Sequence, residues 1–333
     1  MELNQSKGVM FLAEFRNQGL AEINAELASA SLKIARQLGE EVSAVLIGSG
    51  ITGSAQELIS LGVDKVYLID NTDFIRYRSE PYLAIMSQIC QELQPNVLLL
   101  GHTDVGRDLG PRLAFRLNTG LVSNCFEFEK DPVTGNVRMT RLAYGGKATG
   151  IFTVENRPQM ATLGPKRFEP APKDHTRQGE IISFPYKIDE TSVKKQVVNS
   201  SEASIDGVKL EDAEIIVSGG RGIGSTENFE QLKELAEILG GCVGGSRAAI
   251  DNEWLPSNQQ IGITGKVVSP NLYIAIGVSG SIQHMAGCSA AKTIIAINRD
   301  PEAHIFKMAH FGVVGDWKKI LPPLIESYRT LRR

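Results

Sequence analysis

The feature of this sequence that most restricts its fold is an alternation of short apolar runs with segments of helical period. Residues 9–15 predict a strand, residues 24–38 a helix with apolar side chains on one face, and residues 42–47 the next strand. The alternation continues as far as residues 96–100, where a fully apolar strand is predicted. Strands of that kind are buried on both faces, so they indicate a parallel sheet covered by helices.

The pattern changes after residue 117. Short strands joined by Pro-Val-Thr-Gly and Gly-Gly turns are predicted at residues 123–129, 137–144 and 149–154. Such strands are typical of an antiparallel annex on the sheet. Residues 165–210 then carry many prolines and charges with little helical period, which indicates a domain boundary near residues 185–210.

The α/β pattern starts again at residues 214–217, a predicted strand that runs into a glycine-rich loop from Gly219 to Gly224. More glycines follow later predicted strands, at residues 272–276 and 294–298. Ligands of open parallel sheets bind at the carboxyl ends of the strands, and glycine lets the backbone approach them closely. A nucleotide-like ligand is therefore expected in the second half.

The predicted fold class is α/β, with two domains that each contain a mostly parallel, doubly wound, Rossmann-like sheet. The N-terminal domain, residues 1–200, carries the antiparallel annex, and the C-terminal domain, residues 201–333, carries the ligand. The length of 333 residues agrees with two domains, because one domain takes about 150 residues.

Composition excludes several classes of function. The net charge is −3 without any block of like charges, so a nucleic-acid or anionic-membrane surface is not expected. The longest apolar runs are far shorter than the roughly 20 residues that span a bilayer. The four cysteines form no CxxC pair, no His-x-x-x-His pair occurs, and the first residues have no leader-like pattern. We therefore expect a cytoplasmic protein with reduced thiols, without a metal site or membrane insertion.

The glycine-rich loop does not have the spacing of a nicotinamide-dinucleotide fingerprint, because no frame of residues 219–224 gives G-x-G-x-x-G. Arg221 among these glycines still suits an anion, so phosphate binding and a plain tight turn both remain open. Arg247 lies between small residues, and either a cavity or a structural ion pair accounts for it. Residues 261–266 resemble part of a phosphate loop but lack the Walker spacing.

Polar residues also follow the apolar strand at residues 272–276. Ser279, Ser281, Gln283 and His284 lie where polar side chains usually serve a ligand, although a histidine at a helix start is often a cap or a core residue. Asn298 and Asp316 each follow an apolar run, and both ligand binding and helix capping fit them.

Taken in order, these motifs resemble the α subunit of electron transfer flavoproteins. The matching segments of the second half are residues 217–222, 246–249, 260–262, 264–266, 272–275, 280–284 and 296–298. Residues 106–112 and 156–162 match in the first half, so the resemblance covers nearly the whole chain.

The resemblance implies a heterodimer with a β subunit and an FAD held mainly by the C-terminal domain. The protein would be an electron carrier rather than a typical enzyme, relaying single electrons between an acyl-CoA dehydrogenase-type flavoenzyme and an acceptor, a ferredoxin or a quinone oxidoreductase. An anionic semiquinone would be stabilised by Arg247 and His284. One alternative is a bifurcating form that oxidises NADH with a second FAD in the β subunit, coupled to enoyl-CoA and ferredoxin reduction. The other is a non-redox, nucleotide-binding assembly subunit.

The resemblance also implies roles for individual residues. Arg221 and Ser246 would hold the pyrophosphate, Arg247 would lie over the isoalloxazine, Thr264 near flavin N5 and His284 at the O2 side. Ser279, Ser281 and Gln283 would surround the ribityl and phosphate portion, and Asn298 and Asp316 the adenosine end. The remaining cofactor-binding positions implied are Gln260, Ile261, Gly262, Ile263, Gly265, Gly280, Ile282 and Trp317.

Three residues depart from the family pattern. Ile263 stands where glutamine is common, His304 replaces a usual proline and His310 a usual aspartate. A titratable His310 near the cofactor would make the redox behaviour depend on pH.

Overall fold

The computed structural model describes residues 6–16, 19–144, 148–188, 193–195 and 209–331. The chain divides into two compact units, residues 1–142 with 149–200 and residues 143–148 with 201–333. Much of the predicted boundary region, residues 185–210, lies outside the described residues, as do residues 1–5, for which no leader is predicted. Within the described ranges, no helix has both the length and the apolar character needed to cross a membrane.

The first unit alternates strands and helices before its last five strands. Its elements are β1 (Val9–Ala13), β2 (Phe15–Arg16), β3 (Gly19–Leu20), α1 (Ile23–Leu38), β4 (Val42–Gly48), α2 (Thr52–Ser60), β5 (Lys65–Asp70), α3 (Ser79–Leu93), β6 (Val97–Gly101), α4 (Asp104–Arg116), β7 (Leu121–Lys130), β8 (Val137–Ala143), β9 (Ala148–Phe152), β10 (Gln159–Leu163) and β11 (Glu180–Ser183).

The main sheet of this unit has the strand order β11-β5-β4-β1-β6-β10-β7-β8-β9. Every neighbouring pair from β11 to β7 is parallel, and β8 is antiparallel to β7. The predicted parallel sheet with an antiparallel annex is therefore confirmed.

Successive residues of the central strands pack on opposite faces of the sheet. Phe11 and Leu99 lie in one apolar cluster, with side chains of α1 and α2, and Met10 and Leu98 lie in the other, with side chains of α3 and α4. Because side chains alternate across a strand, two covered faces require an unbroken apolar run, as the sequence has.

The sequence pattern did not predict β10, which lies between β6 and β7 and is fully buried. This strand begins with a buried glutamine, which is rare in a core strand. Gln159 Nε2 donates to Asn96 Oδ1 (3.1 Å), and Gln159 Oε1 accepts from the Val137 N–H (2.7 Å). These long-range hydrogen bonds satisfy the amide and make its burial possible.

The second unit is a regular α/β unit. Its elements are β12 (Ile215–Gly219), α5 (Phe229–Leu239), β13 (Cys242–Gly245), α6 (Arg247–Asp251), β14 (Leu272–Ile276), α7 (Ile282–Cys288), β15 (Thr293–Asn298), β16 (Phe311–Val314) and α8 (Trp317–Leu331), with short 3₁₀ turns at Arg221–Ile223, Ser257–Gln259 and His304–Lys307.

The five strands of this unit have the order β13-β12-β14-β15-β16, and all neighbours are parallel. All five carboxyl ends therefore lie on one edge of the sheet, which we call the carboxyl edge. At about 4.8 Å between strands, that edge spans about 19 Å. The loops that follow it carry most of the residues predicted to bind a ligand.

Candidate functional site

The turn after β12 lies against the end of β14, with almost no space between the two backbones. The Gly220 N–H donates to the Ile276 carbonyl (2.9 Å), and the Gly222 N–H donates to the Gly277 carbonyl (3.1 Å). A Cβ on Gly220 would lie 2.2 Å from the Gly277 oxygen, so only glycine fits there. Arg221, between the two glycines, is exposed. The loop is thus a tight turn, and its place on the carboxyl edge is compatible with an anion as well.

A cavity of about 410 Å³ opens beside this turn, within the range of small-molecule sites. It is lined by Gly222, Ile223, Gly224, Asn228, Gly277, Ile297, Asn298, Arg299, Gly315, Asp316, Trp317 and Lys318. Two of these side chains, Arg299 and Lys318, are cations, and Asp316 is the only carboxylate among them. The balance of charge favours an anionic ligand.

The predicted residues of this cavity also support its walls. Asn298 Nδ2 donates to the Val278 carbonyl (2.9 Å), and Asn298 Oδ1 accepts from the Asp300 N–H (3.0 Å). Asp316 Oδ1 accepts from the Lys318 N–H (3.0 Å) at the start of α8. Trp317, which is buried, donates its Nε1 hydrogen to the Gly222 carbonyl (3.0 Å). The capping interpretation is therefore correct for Asp316, whereas Asn298 holds a turn and does not cap the next helical turn, which begins at His304. The contact of both residues with a ligand stays a prediction.

At the other end of the carboxyl edge, Ser246 and Arg247 follow β13. The Ser246 N–H donates to the Gly219 carbonyl (3.0 Å), which ties the two strand ends together. The Arg247 side chain is 71% exposed, and its Nε lies 3.4 Å from Oδ2 of Asp251, which is itself 60% exposed. An ion pair so open to water contributes little to stability. The structural ion pair thus exists but does not account for the arginine.

The loop at residues 260–266 connects this end of the edge to α7. The Ile261 N–H donates to the Gly245 carbonyl (2.9 Å), and the Ile263 N–H donates to the Gln283 carbonyl (2.9 Å). Gln260 Nε2 donates to Thr264 Oγ1 (2.9 Å), which leaves the threonine hydrogen available to a ligand. Ile263 is 66% exposed.

The loop before α7 is held just as closely. The Ser279 carbonyl accepts from the Ile305 N–H (3.1 Å), and a Cβ on Gly280, whose φ is +80°, would lie 2.3 Å from the Ile305 nitrogen. Ser281 caps α7 by accepting from the His284 N–H (3.4 Å). The exposed side chains of Ser279 and Ser281 therefore rest on a rigid backbone.

His284 is the buried member of the site, with 5% of its surface exposed. Its Nε2 lies 2.8 Å from the Tyr273 hydroxyl, and its Nδ1 makes no hydrogen bond with any described residue. Burial lowers the pKa of His284 to about 4. The nearby Ile261 backbone opposes part of this shift, although it makes no hydrogen bond of ordinary geometry with the ring. A buried imidazole nitrogen without a partner is unusual in a core, and it points to a ligand.

The two unusual histidines lie in different places. His304 begins the turn packed on Gly280, near the carboxyl edge. His310 precedes β16, where its Nδ1 accepts from the Ile294 N–H (3.0 Å) and its N–H donates to the Ile294 carbonyl (2.8 Å). This is the amino end of β15. The hypothesis that His310 lies near a cofactor is therefore wrong for a ligand at the carboxyl edge, because β15 separates the two along its length.

The main sheet of the first unit also has a topological switch point, between the carboxyl ends of β1 and β6, and a carboxylate lies there. Glu14 is buried and accepts hydrogen bonds from the Thr103 hydroxyl and from Arg16 Nη2 (2.8 Å). Burial raises the pKa of Glu14, and the hydrogen bonds oppose the shift. A carboxylate at the switch point of this sheet repels phosphate, so the second unit is the better site for a nucleotide.

The predicted site residues therefore lie along one sheet edge in two groups. The first contains Ser246, Arg247, Gln260, Ile261, Gly262, Ile263, Thr264, Gly265, Ile282, Gln283 and His284, and the second contains Asn298, Asp316 and Trp317, with Arg221, Ser279, Gly280 and Ser281 on the loops between them. Three residues of the cavity, Arg299, Lys318 and Asn228, were not predicted from the sequence. Arg299 and Lys318 directly follow predicted residues, so the signal available in the sequence was a basic residue next to a strand end or a helix cap.

The described residues contain no cluster of three or more metal-binding side chains. Two family profiles match the chain: the electron transfer flavoprotein domain at residues 9–189, and the electron transfer flavoprotein FAD-binding domain at residues 209–289.

Curated proteins are similar over almost the full length. The electron transfer flavoprotein subunit alpha of Thermoanaerobacterium thermosaccharolyticum is 43% identical over 99% of this chain and 100% of its own. Protein FixB of Clostridium saccharobutylicum is 41% identical, over 99% of both chains. The subunit alpha of Megasphaera elsdenii is 40% identical over 99% of this chain and 98% of its own.

Proposed function

Because this chain belongs to the family of electron transfer flavoprotein α subunits, we propose that it binds FAD along the carboxyl edge of its second unit. Paired with a β subunit, it relays single electrons from an acyl-CoA dehydrogenase-type flavoenzyme to an acceptor, a ferredoxin or a quinone oxidoreductase. The observation that carries the proposal is the partnerless Nδ1 of buried His284, which lies on the same sheet edge as the 410 Å³ cavity.

The residues of the carboxyl edge suit the two ends of FAD. The cavity, with Arg299 and Lys318 at its walls, takes the adenosine end and balances the charge of the phosphates. The glycine turn around Arg221 presents close backbone and a guanidinium, a combination that favours a pyrophosphate. Arg247, Thr264 and His284 belong to the flavin-ring end.

When bound, FAD supplies a ring that accepts and releases one electron at a time. Arg247 contributes a positive charge that no physiological pH removes, so it favours the extra negative charge of the reduced ring. Thr264 and His284 contribute hydrogen-bond donors that keep the ring in place. The loop at residues 260–266, which carries Thr264, is hydrogen-bonded to Gly245 and to Gln283 before the ligand arrives, so little reorganisation is needed.

The test is to purify the chain with its β subunit, count the flavins and follow stepwise reduction by visible absorption. We expect a yellow complex with one FAD bound to this chain and reduction in one-electron steps. A second FAD in the β subunit, reduced by NADH, would identify the bifurcating form. A colourless complex that binds nucleotide without redox activity would contradict the proposal and support the assembly-subunit alternative.

A further inference from the structure

Tyr273 lies directly behind His284 in the core of the second unit. It is fully buried on β14, its hydroxyl oxygen is 2.8 Å from His284 Nε2, and the two ring centres are 6.2 Å apart. Tyr273 belongs to one of the matching segments, residues 272–275, but the resemblance implies no role for it.

The direction of this hydrogen bond follows from the surroundings. Burial keeps Tyr273 protonated, since it raises the pKa of the phenol well above 10. The tyrosine hydrogen therefore needs an acceptor inside the protein. His284 is neutral, so one ring nitrogen is an acceptor and the other a donor.

The neighbours on α7 and β12 offer weaker alternatives. The Cys288 thiol contacts the Tyr273 hydroxyl, but sulfur is a weak acceptor and its hydrogen points to the His284 carbonyl, 3.6 Å away. Ser218 is buried beside the same hydroxyl without a hydrogen bond of ordinary geometry. The imidazole Nε2 is the best acceptor within reach.

We propose that Tyr273 is a positioning residue that donates to His284 Nε2 and so fixes the neutral Nδ1–H tautomer. The site then offers a hydrogen-bond donor at Nδ1 for an acceptor oxygen of the ligand ring. This inference rests on the proposed function, in which that ring is the flavin. The reverse tautomer would turn a lone pair toward an oxygen that becomes more negative on reduction. Arg247 thus supplies the charge, and His284 supplies a neutral donor.

The test uses the full chain in complex with its β subunit, labelled with ¹⁵N-histidine, in long-range ¹H–¹⁵N spectra. This chain has five histidines, and the signal lost in His284→Gln identifies the residue. We expect wild-type His284 to show a protonated Nδ1 and an unprotonated Nε2, in protein freed of flavin as well as with it. A wild-type Nε2–H tautomer overturns the proposal without any Tyr273 variant.

Tyr273→Phe removes one oxygen atom, so we expect the tautomer to change and FAD to dissociate about tenfold more readily. The matched control is Tyr82→Phe in the first unit, a buried tyrosine whose hydroxyl donates to the Ile47 carbonyl (3.1 Å), and it should leave both readouts unchanged. An unchanged Nδ1–H signal in Tyr273→Phe overturns the proposal. If His284 shows the Nδ1–H tautomer but the complex binds no flavin, the proposed function is contradicted and the role of Tyr273 is not.

Discussion

Arg247 and His284 differ in burial, and the difference separates the roles proposed for them. The arginine side chain is 71% exposed and always charged, whereas the histidine is 5% exposed and neutral. A charge can remain in the free protein only where water reaches it, because a buried charge without a partner costs several kcal/mol. The donor that is buried before any ligand binds is therefore the neutral one.

Arg247→Ala should lower the flavin midpoint potential by about 60 mV, which corresponds to a tenfold change in a one-electron equilibrium. The reason is the loss of a positive charge next to a ring that gains negative charge. The matched control is Arg329→Ala. Arg329 lies at the far end of α8, its side chain is 60% exposed, and it is also paired with a carboxylate. Spectroelectrochemical titration gives both potentials, and equal values in the two variants would remove Arg247 from the redox role.

His102 makes the stability of the first unit depend on pH. Burial, followed by the charges of Arg107 and Arg141, lowers its pKa to about 4, while its Nδ1 lies 2.9 Å from Thr162 Oγ1. The unfolded chain binds a proton near pH 6.5 and the folded chain only near pH 4. In that window stability falls as the pH falls, by at most about 3 kcal/mol in total from this residue.

Denaturant titrations between pH 7 and pH 4 check this effect. In His102→Gln the loss of unfolding free energy with falling pH should be smaller than in the wild type by up to that amount. His175→Gln, at an exposed histidine, serves as the control and should follow the wild-type curve. Parallel curves for wild type and His102→Gln would show that this histidine is protonated alike in both states.

Among the elements, α8 forms one wall of the cavity through the residues of its first turn. Its first turn places Trp317 under the glycine turn and Lys318 on the cavity wall, with Lys318 Nζ 5.7 Å from the centre of the Trp317 ring. The helix packs on the sheet through Leu321 and Ile325, so the start of α8 is fixed by the core.

Two neighbouring lysines of α8 allow a matched comparison. Lys318→Gln should weaken FAD and ADP binding about fivefold, because a cation is lost from the wall of the proposed anion site, whereas Lys319→Gln, outside the cavity, should change neither. Calorimetric titration of the flavin-free complex with ADP measures the effect, which should shrink as salt is raised. A similar loss in both variants would mean that only the net charge of the helix matters.

At the scale of the whole chain, two sheets of similar plan differ at their switch points. The first sheet carries Glu14 and Thr103 there, and the second carries Gly219, Gly220 and Gly277. Glycines leave room for a ligand next to the backbone, while a buried carboxylate fills the space with negative charge. One FAD in this chain is the stoichiometry expected from that contrast.

Part of the fold and of the candidate site could be predicted from local patterns in the sequence. The apolar runs of β1 and β6, the helical period of α1 and the glycines after β12 and β14 depend only on near neighbours along the chain. The alternation therefore predicted the α/β class, and the change of pattern after residue 117 predicted the antiparallel annex; the structure confirms both. The order and spacing of the motifs indicated the family.

Other features depend on which distant segments meet. The position of β10 beside β6, the place of His310 at the amino end of β15, and the cations Arg299 and Lys318 on one cavity all follow from strand order. The hydrogen bond between Tyr273 and His284 likewise joins a strand to the next helix across the core. Local period determines the face on which a side chain lies, but its partner across the sheet is a long-range property, and only the tertiary structure decides it.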